Sequence, residues 1–99
     1  MLLNPNQRVE LIVGEGEDRR VFITRVEDLN EPGEYLLLAA PIVNGEIVPI
    51  RRETAVTVSF YCHEVPHQGR YQATGVVERR LKDNSVPVLL IKLTSEWKK

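Results

Sequence analysis

The clearest strand pattern in the chain is the stretch AVTVSFYCH at residues 55–63. Val56, Val58, Phe60 and Cys62 alternate with more polar residues, so all four are expected on one face of a β-strand. A helix would instead space its apolar residues three or four positions apart. This stretch therefore predicts a half-buried strand.

Similar strand-like stretches recur along the chain, separated by turn residues such as Asn44-Gly45, the strongest short signal for a β-hairpin. Val21, Phe22 and Ile23 are adjacent and break the alternation of their strand, so a bulge or burial of both faces is expected there. Gly75 predicts a bend or bulge at a barrel corner. The other predicted strands are Gln7–Val13, Arg20–Glu27, Tyr35–Ala40, Ile42–Ile50, Arg70–Arg80 and Val86–Leu93. The turns include Asn30–Gly33.

Six or seven strands without a convincing helix predict an all-β fold, namely a six- to seven-stranded antiparallel barrel. Closure into a barrel is favoured because it removes exposed strand edges. The 99 residues, 42% hydrophobic and 27% charged, are typical of one globular domain, which we assign to residues 1–95. Residues 96–99 are expected to begin a linker or helix toward a missing C-terminal domain.

The end of the chain supports two interpretations. Thr94 and Ser95 are good helix N-cap residues, and Glu96 suits a first helical turn. A helix or linker that starts here and is cut off is one interpretation. The other is a frayed tail whose Trp97 folds back on the barrel.

Composition also indicates where in the cell the protein is found. No apolar run approaches the roughly 20 residues that a membrane span needs, and the first residues lack a signal-peptide pattern. A single cysteine, Cys62, suits a reducing compartment. We therefore predict a cytoplasmic protein without membrane insertion. The net charge of −1 and the pI near 6.1 argue against a nucleic-acid partner.

No pattern in the sequence predicts an enzyme, a metal site or a cofactor in this chain. Cys62, His63, Glu64 and His67 are the only clustered side chains of metal-binding type, but neighbouring strand residues point to opposite faces. Cys62 and His63 can therefore form neither a metal site nor a catalytic dyad. No serine lies in a nucleophile elbow, and Gly14-Glu15-Gly16 lacks the residues of a phosphate-binding loop.

Basic pairs offer the strongest candidates for binding. Arginine forks bind phosphate well, but adjacent arginines in a strand face opposite ways, so one of each pair can join a given patch. Arg79, Arg80, Lys98 and Lys99 lie late in the chain, and Trp97 directly precedes the two lysines. These five residues are our candidates for contact with a neighbouring domain or its ligand. The remaining pairs are Arg19-Arg20 and Arg51-Arg52.

The order of motifs resembles that of a known family, over about residues 4–95. The motifs are Asn4–Leu11, Ala39–Ile42, Asn44-Gly45 with Val48–Ile50, Val56–Tyr61, Gly69–Tyr71 and Pro87–Leu90. In this order they resemble the N-terminal domain of YcgR-like flagellar brake proteins, the module that precedes a PilZ domain. The resemblance implies a PilZ-like or split barrel that acts as a non-enzymatic regulatory module in control of flagellar motility.

The resemblance also implies cyclic di-GMP as the ligand of the full-length protein, and a PilZ domain in the same polypeptide and flagellar motor components as partners. Neither ligand motif of the family is complete here. No arginines stand in Arg-x-x-x-Arg spacing, and Val88 stands where the Asp/Asn-x-Ser-x-x-Gly motif starting at Asp83 needs glycine. Asp83-Asn84-Ser85 is therefore interpreted as a turn, and this chain alone is expected to bind cyclic di-GMP weakly or not at all.

Three alternatives remain open from the sequence. A small barrel could bind nucleic acid by stacking bases on Tyr61 and Tyr71, or it could bind another protein. A split barrel could bind flavin, and the preparation would then be yellow. A self-associating structural module would show itself by its mass in solution.

Overall fold

The computed structural model describes residues 3–30 and 34–99 and contains eight strands. Strands β1, β2, β3, β6, β7 and β8 close into an antiparallel barrel in the order β1-β2-β3-β8-β7-β6, and β4 and β5 form a separate hairpin. The strands are β1 Arg8–Val13, β2 Arg20–Leu29, β3 Tyr35–Ala39, β4 Ile42–Val43, β5 Glu46–Ile47, β6 Ala55–Cys62, β7 Gly69–Asp83 and β8 Val86–Leu93. The predicted all-β barrel is confirmed.

The barrel core follows the alternation that the sequence predicts. Val56, Val58, Phe60 and Cys62 of β6 are all buried, as are alternate residues of β1. Their side chains meet those of the other barrel strands in one continuous apolar cluster. Burial of these side chains supplies the main driving force for closing the sheet.

Strand β2 departs from the prediction at Val21–Ile23. Its pairing with β1 continues without interruption through these residues, and the shift in register lies further on, between Val26 and Asp28. Phe22 is buried, whereas Val21 and Ile23 are 44% and 50% exposed. The expected bulge or two-sided burial is therefore wrong, and β2 places two large apolar side chains on the outside.

Two tight hairpin turns agree with the sequence. Asn44 and Gly45 have φ of 54° and 80°, and Asn84 and Ser85 have φ of 49° and 69°. Positive φ at both central residues defines the type I′ turn, whose twist matches that of paired strands. The hairpin prediction and the turn at Asp83–Ser85 are confirmed. Of the predicted turn at Asn30–Gly33, residues 31–33 lie outside the described residues.

Strand β7 is long enough to pair with different strands along its length. Its first half, Gly69–Thr74, pairs with β6, and its second half, Gly75–Asp83, pairs with β8, with an overlap at Gly75 and Val76. A Cβ on Gly75 would lie 2.8 Å from both Ile91 Cγ2 and the Lys92 carbonyl oxygen. The irregularity predicted at Gly75 lies two residues later, as a shift in the register of the β7–β8 pairing between Val77 and Arg79.

The barrel is closed, but β1 and β6 stop pairing before their ends, and we call this unpaired stretch the opening between β1 and β6. Their ladder runs from Val13–Val56 to Glu10–Ser59 and ends there, although β1 begins at Arg8 and β6 continues to Cys62. At this end each strand keeps only its other neighbour, β2 or β7 respectively. The two strand ends therefore border a groove on the barrel surface.

Candidate interdomain site

The terminal segment, residues 94–99, lies along the first half of β7. Thr94 N donates to the Thr74 carbonyl oxygen at 2.8 Å, and Thr74 N donates to Ser95 Oγ at 2.9 Å. Further on, Lys98 and Gln72 exchange two backbone hydrogen bonds of 2.8 Å. The segment is extended here, without a helical turn, and it covers an edge of β7 that β8 leaves.

Trp97 attaches the terminal segment to the core. Its ring packs edge-on against Phe60, with centroids 5.1 Å apart and planes at 78°. Phe60 in turn stacks on Tyr71, with centroids 5.6 Å apart. The indole Nε1 is buried and has no hydrogen-bond partner among the described residues. The half-buried indole thus folds back on the barrel, as the second interpretation of the chain end expected.

The two terminal lysines end beside the start of β7. Lys99 Nζ lies 6.0 Å from the centroid of the Tyr71 ring, and the Lys99 side chain covers Gly69, where a Cβ would meet its Cε. Lys98 is fixed through its backbone, and both lysines remain exposed. Their ammonium groups therefore stand at the surface at the point where the described chain ends.

Arg79 and Arg80 lie elsewhere. They belong to the second half of β7, opposite Leu90 and Leu89 of β8, and both are exposed. Arg79 stands seven residues after Gln72, which corresponds to roughly 23 Å along an extended strand. The structure thus brings together Trp97, Lys98 and Lys99 and leaves the two arginines apart from them.

The groove at the opening between β1 and β6 has a volume of about 510 Å³. Among its lining residues, Arg70 Nη1 donates to Ser59 Oγ at 3.1 Å and to Glu10 Oε1 at 3.3 Å. Arg8 and His63 add further polar groups to the lining. Since Arg70 directly follows Gly69, this groove and the end of the terminal segment are neighbours on β7.

The sequence did not reveal this groove. The basic pairs in the sequence draw on other arginines, whereas Arg8 and Arg70 stand alone in sequence. The strands β1 and β6 are far apart in the chain, and the contact that brings them together closes the barrel. One local signal is the alternation along β7. Because Tyr71 points inward, the neighbouring Arg70 points outward and its side chain is accessible.

Of the two tyrosines named for base stacking, the structure exposes Tyr61 and buries Tyr71. Tyr71 is buried, packs on Phe60 and donates its hydroxyl hydrogen to the His67 carbonyl oxygen at 2.8 Å. Tyr61 is exposed and lies against the His63 ring. The alternative in which bases stack on Tyr61 and Tyr71 therefore loses Tyr71, because neighbouring ladder positions put the two side chains on opposite faces.

The opposite orientation of Cys62 and His63 is confirmed, since Cys62 is buried and His63 is exposed. The parts of the chain that the structure describes hold no group of three side chains able to ligate a metal. They also hold no helix long and apolar enough to cross a membrane.

The chain is a small closed antiparallel β-barrel with a surface groove and a terminal segment docked along β7. A comparison with family models identifies the class of protein. The model described as flagellar protein YcgR, PilZNR, matches residues 4–93, so the chain belongs to this family as its N-terminal domain. The family is regulatory and non-catalytic, and this domain normally precedes a PilZ domain. Neither the curated proteins nor the solved structures contain a significant match.

Proposed function

We propose that this chain is the regulatory barrel of a cyclic di-GMP-responsive protein that controls flagellar motility. The family match over residues 4–93 carries the proposal. In it, the barrel does not catalyse a reaction but presents a surface to a PilZ domain in the same polypeptide. Flagellar motor components are the proposed downstream partners.

The terminal segment is the proposed point of communication between the two domains. It holds to β7 through a few hydrogen bonds and the contact of Trp97 with Phe60. A ligand shifts a protein between two arrangements only by contacting them unequally. A ligand that favours a displaced segment must therefore offset these contacts, and a displacement would alter the surface beside Arg70.

The charges at this end suit an anionic ligand near the domain junction. Lys98 and Lys99 are exposed, and Arg70 lies at the adjacent start of β7. Cyclic di-GMP carries phosphates, which lysine and arginine bind by charge-assisted hydrogen bonds. Because both ligand motifs are incomplete in this chain, the main binding groups are proposed to lie in the PilZ domain.

Calorimetric titration with cyclic di-GMP tests the proposal on this chain and on the protein encoded by the full reading frame. Binding by the longer protein, and weak or no binding by this chain, is the expected result. Tight binding by this chain alone would place a complete site in the barrel. Absence of binding by both would remove cyclic di-GMP from the proposal.

Matched variants of the longer protein locate the junction. Replacing Lys98 and Lys99 together by alanine is expected to weaken binding about tenfold, the scale of one lost charge-assisted contact. Replacing Arg79 and Arg80 together by alanine removes the same charge from the far part of β7 and should leave the affinity unchanged. Equal losses in the two variants would indicate a general effect of charge, and a loss only in the arginine variant would move the junction to the second half of β7.

A further inference from the structure

A concentration of exposed apolar side chains stands on the side of the barrel next to the β4–β5 hairpin. We call it the hairpin face, and its members are exposed by 37% to 60%. Together they offer apolar area on the order of 400 Å², as much as the largest patch on a typical monomer. The hairpin face consists of Val21, Ile23, Ile42, Ile47 and Val86.

The hairpin face combines a groove with a ridge, and the ridge is formed by Ile42 and Ile47 of the β4–β5 hairpin. The groove, of about 370 Å³, is lined by Ile23, Ile42 and Val86 with neighbouring alanine and proline residues. Ile42 lies directly opposite Ile47 in the hairpin, so both side chains project from the same side of the β4–β5 ribbon. Since Ile42 belongs to both features, the ridge borders the groove.

The groove is nearly free of charge. Arg25 is its one charged lining residue among those the structure describes, and Arg25 Nε already donates to Glu27 Oε1 at 2.9 Å. A partner that brought several charged side chains into this groove would lose their hydration and meet no counter-charge in the lining other than Arg25. The surface therefore favours an apolar, uncharged partner.

We propose that the hairpin face is the contact surface of a homodimer. A two-fold axis would place the ridge of each copy in the groove of the other, because an isologous interface needs both features on one surface. A standard interface covers roughly 800 Å² per partner, a little over half of it apolar. The area of the hairpin face matches that apolar share, and the identical face of a second copy supplies the uncharged surface that the groove favours.

This inference goes beyond the proposed regulatory function and does not depend on cyclic di-GMP. Sedimentation analysis of the purified chain, from about 10 μM to about 1 mM, measures dimer formation directly. A concentration-dependent dimer is expected. A chain that stays monomeric at about 1 mM would overturn the proposal and leave the face to a different partner.

Three single variants test the surface. Ile23→Lys in the groove and Ile47→Asp on the ridge should each weaken dimer formation at least tenfold, since each places an unpaired charge in the contact. Val65→Lys is the matched control, because Val65 is 77% exposed and lies outside the hairpin face. It should leave the dissociation constant unchanged. Equal weakening by the control would overturn the assignment of the surface.

A mixing experiment tests the geometry and does not depend on any one variant's stability. In a mixed dimer of the Ile23→Lys and Ile47→Asp chains, one ridge–groove contact is unaltered and the other pairs the two introduced charges. The mixture is therefore expected to dimerise more strongly than either variant alone. Circular dichroism confirms that both variants are folded. Two folded variants whose mixture shows no gain would overturn the ridge-in-groove arrangement.

Discussion

The two halves of β7 differ in what completes their pairing. The first half, Gly69–Thr74, lies between β6 and the terminal segment, and its Tyr71 joins an aromatic stack with Phe60 and Trp97. The second half, Gly75–Asp83, pairs with β8 in a hairpin with one shift in register, carries the exposed Arg79 and Arg80, and leads into a tight turn. The first half is thus stabilised by side chains distant in sequence, and the second by local pairing.

This difference predicts where substitutions lower the stability of the barrel and where they do not. Residues around the first half are held by packing, so substitutions there should lower stability and disturb the terminal segment together. Exposed residues of the second half have few side-chain contacts, so substitutions there should change the free energy of unfolding only slightly. Substitutions around both halves test this contrast, and their expected effect on the free energy of unfolding decreases from Phe60 to Arg80.

Phe60→Ala should give the largest effect. Phe60 is 2% exposed and contacts both Tyr71 and Trp97. Loss of such a buried ring costs about 3–5 kcal/mol. Urea unfolding followed by circular dichroism measures it, with Phe60→Leu as the milder control. A loss below about 1 kcal/mol would show that the aromatic stack does not hold the first half of β7.

Trp97→Ala should lower the free energy of unfolding by about 2 kcal/mol, since the half-burial of the ring and its edge-on contact with Phe60 are both lost. Trp97→Phe keeps an aromatic ring and removes the buried Nε1–H that has no partner among the described residues. Its cost is expected to be under about 1 kcal/mol, because the lost group satisfies no hydrogen bond.

The same urea titration compares the two variants of Trp97. Equal losses would mean that the indole nitrogen makes a contact, for example with water, that matters for stability. No loss in either variant would mean that the terminal segment is not held on the barrel in solution.

Ser95→Ala should have a smaller effect, of about 0.5–1 kcal/mol. The variant removes the oxygen that accepts a hydrogen bond from Thr74 N, but the site is partly open to water, which can replace the oxygen. Hydrogen exchange of the Thr74 amide measures the local effect. Faster exchange at Thr74 without a change at Val58 is expected, and an unchanged Thr74 rate would contradict the contact.

Arg80→Ala should have the smallest effect, within about 0.5 kcal/mol, as for surface substitutions without specific contacts. Arg80 is exposed and makes no ion pair with the described residues. The urea midpoint serves as the measurement, and Arg79→Ala is the companion variant. A loss above about 1 kcal/mol would remove the contrast between the two halves of β7.

Much of the fold could be predicted from local patterns. The alternation in β6, the Asn44-Gly45 turn and the turn at Asn84 depend on neighbouring residues, and each was correct. The error at Val21–Ile23 has a different origin. Adjacent apolar residues show that a strand has an apolar outer position, but not whether another surface covers it. In this structure the outer positions stay exposed and join the hairpin face.

The candidate site was less predictable. Residues 79–80 and 97–99 share a position late in the chain, but the structure separates the two groups along β7. Their role in contact with another domain stays a prediction. No sequence pattern singles out Arg70, Glu10 or Ser59, because their meeting requires that β1, β6 and β7 are neighbours in the barrel.

The sequence by itself determined the strand periodicity, the tight turns and the apolar faces, since these depend on the geometry of consecutive residues. The order of motifs also determined the family. Only the tertiary structure decided how the barrel closes, where it opens between β1 and β6, and where the terminal segment lies. These features depend on side chains that are distant in sequence and meet only when the sheet curls around a shared core.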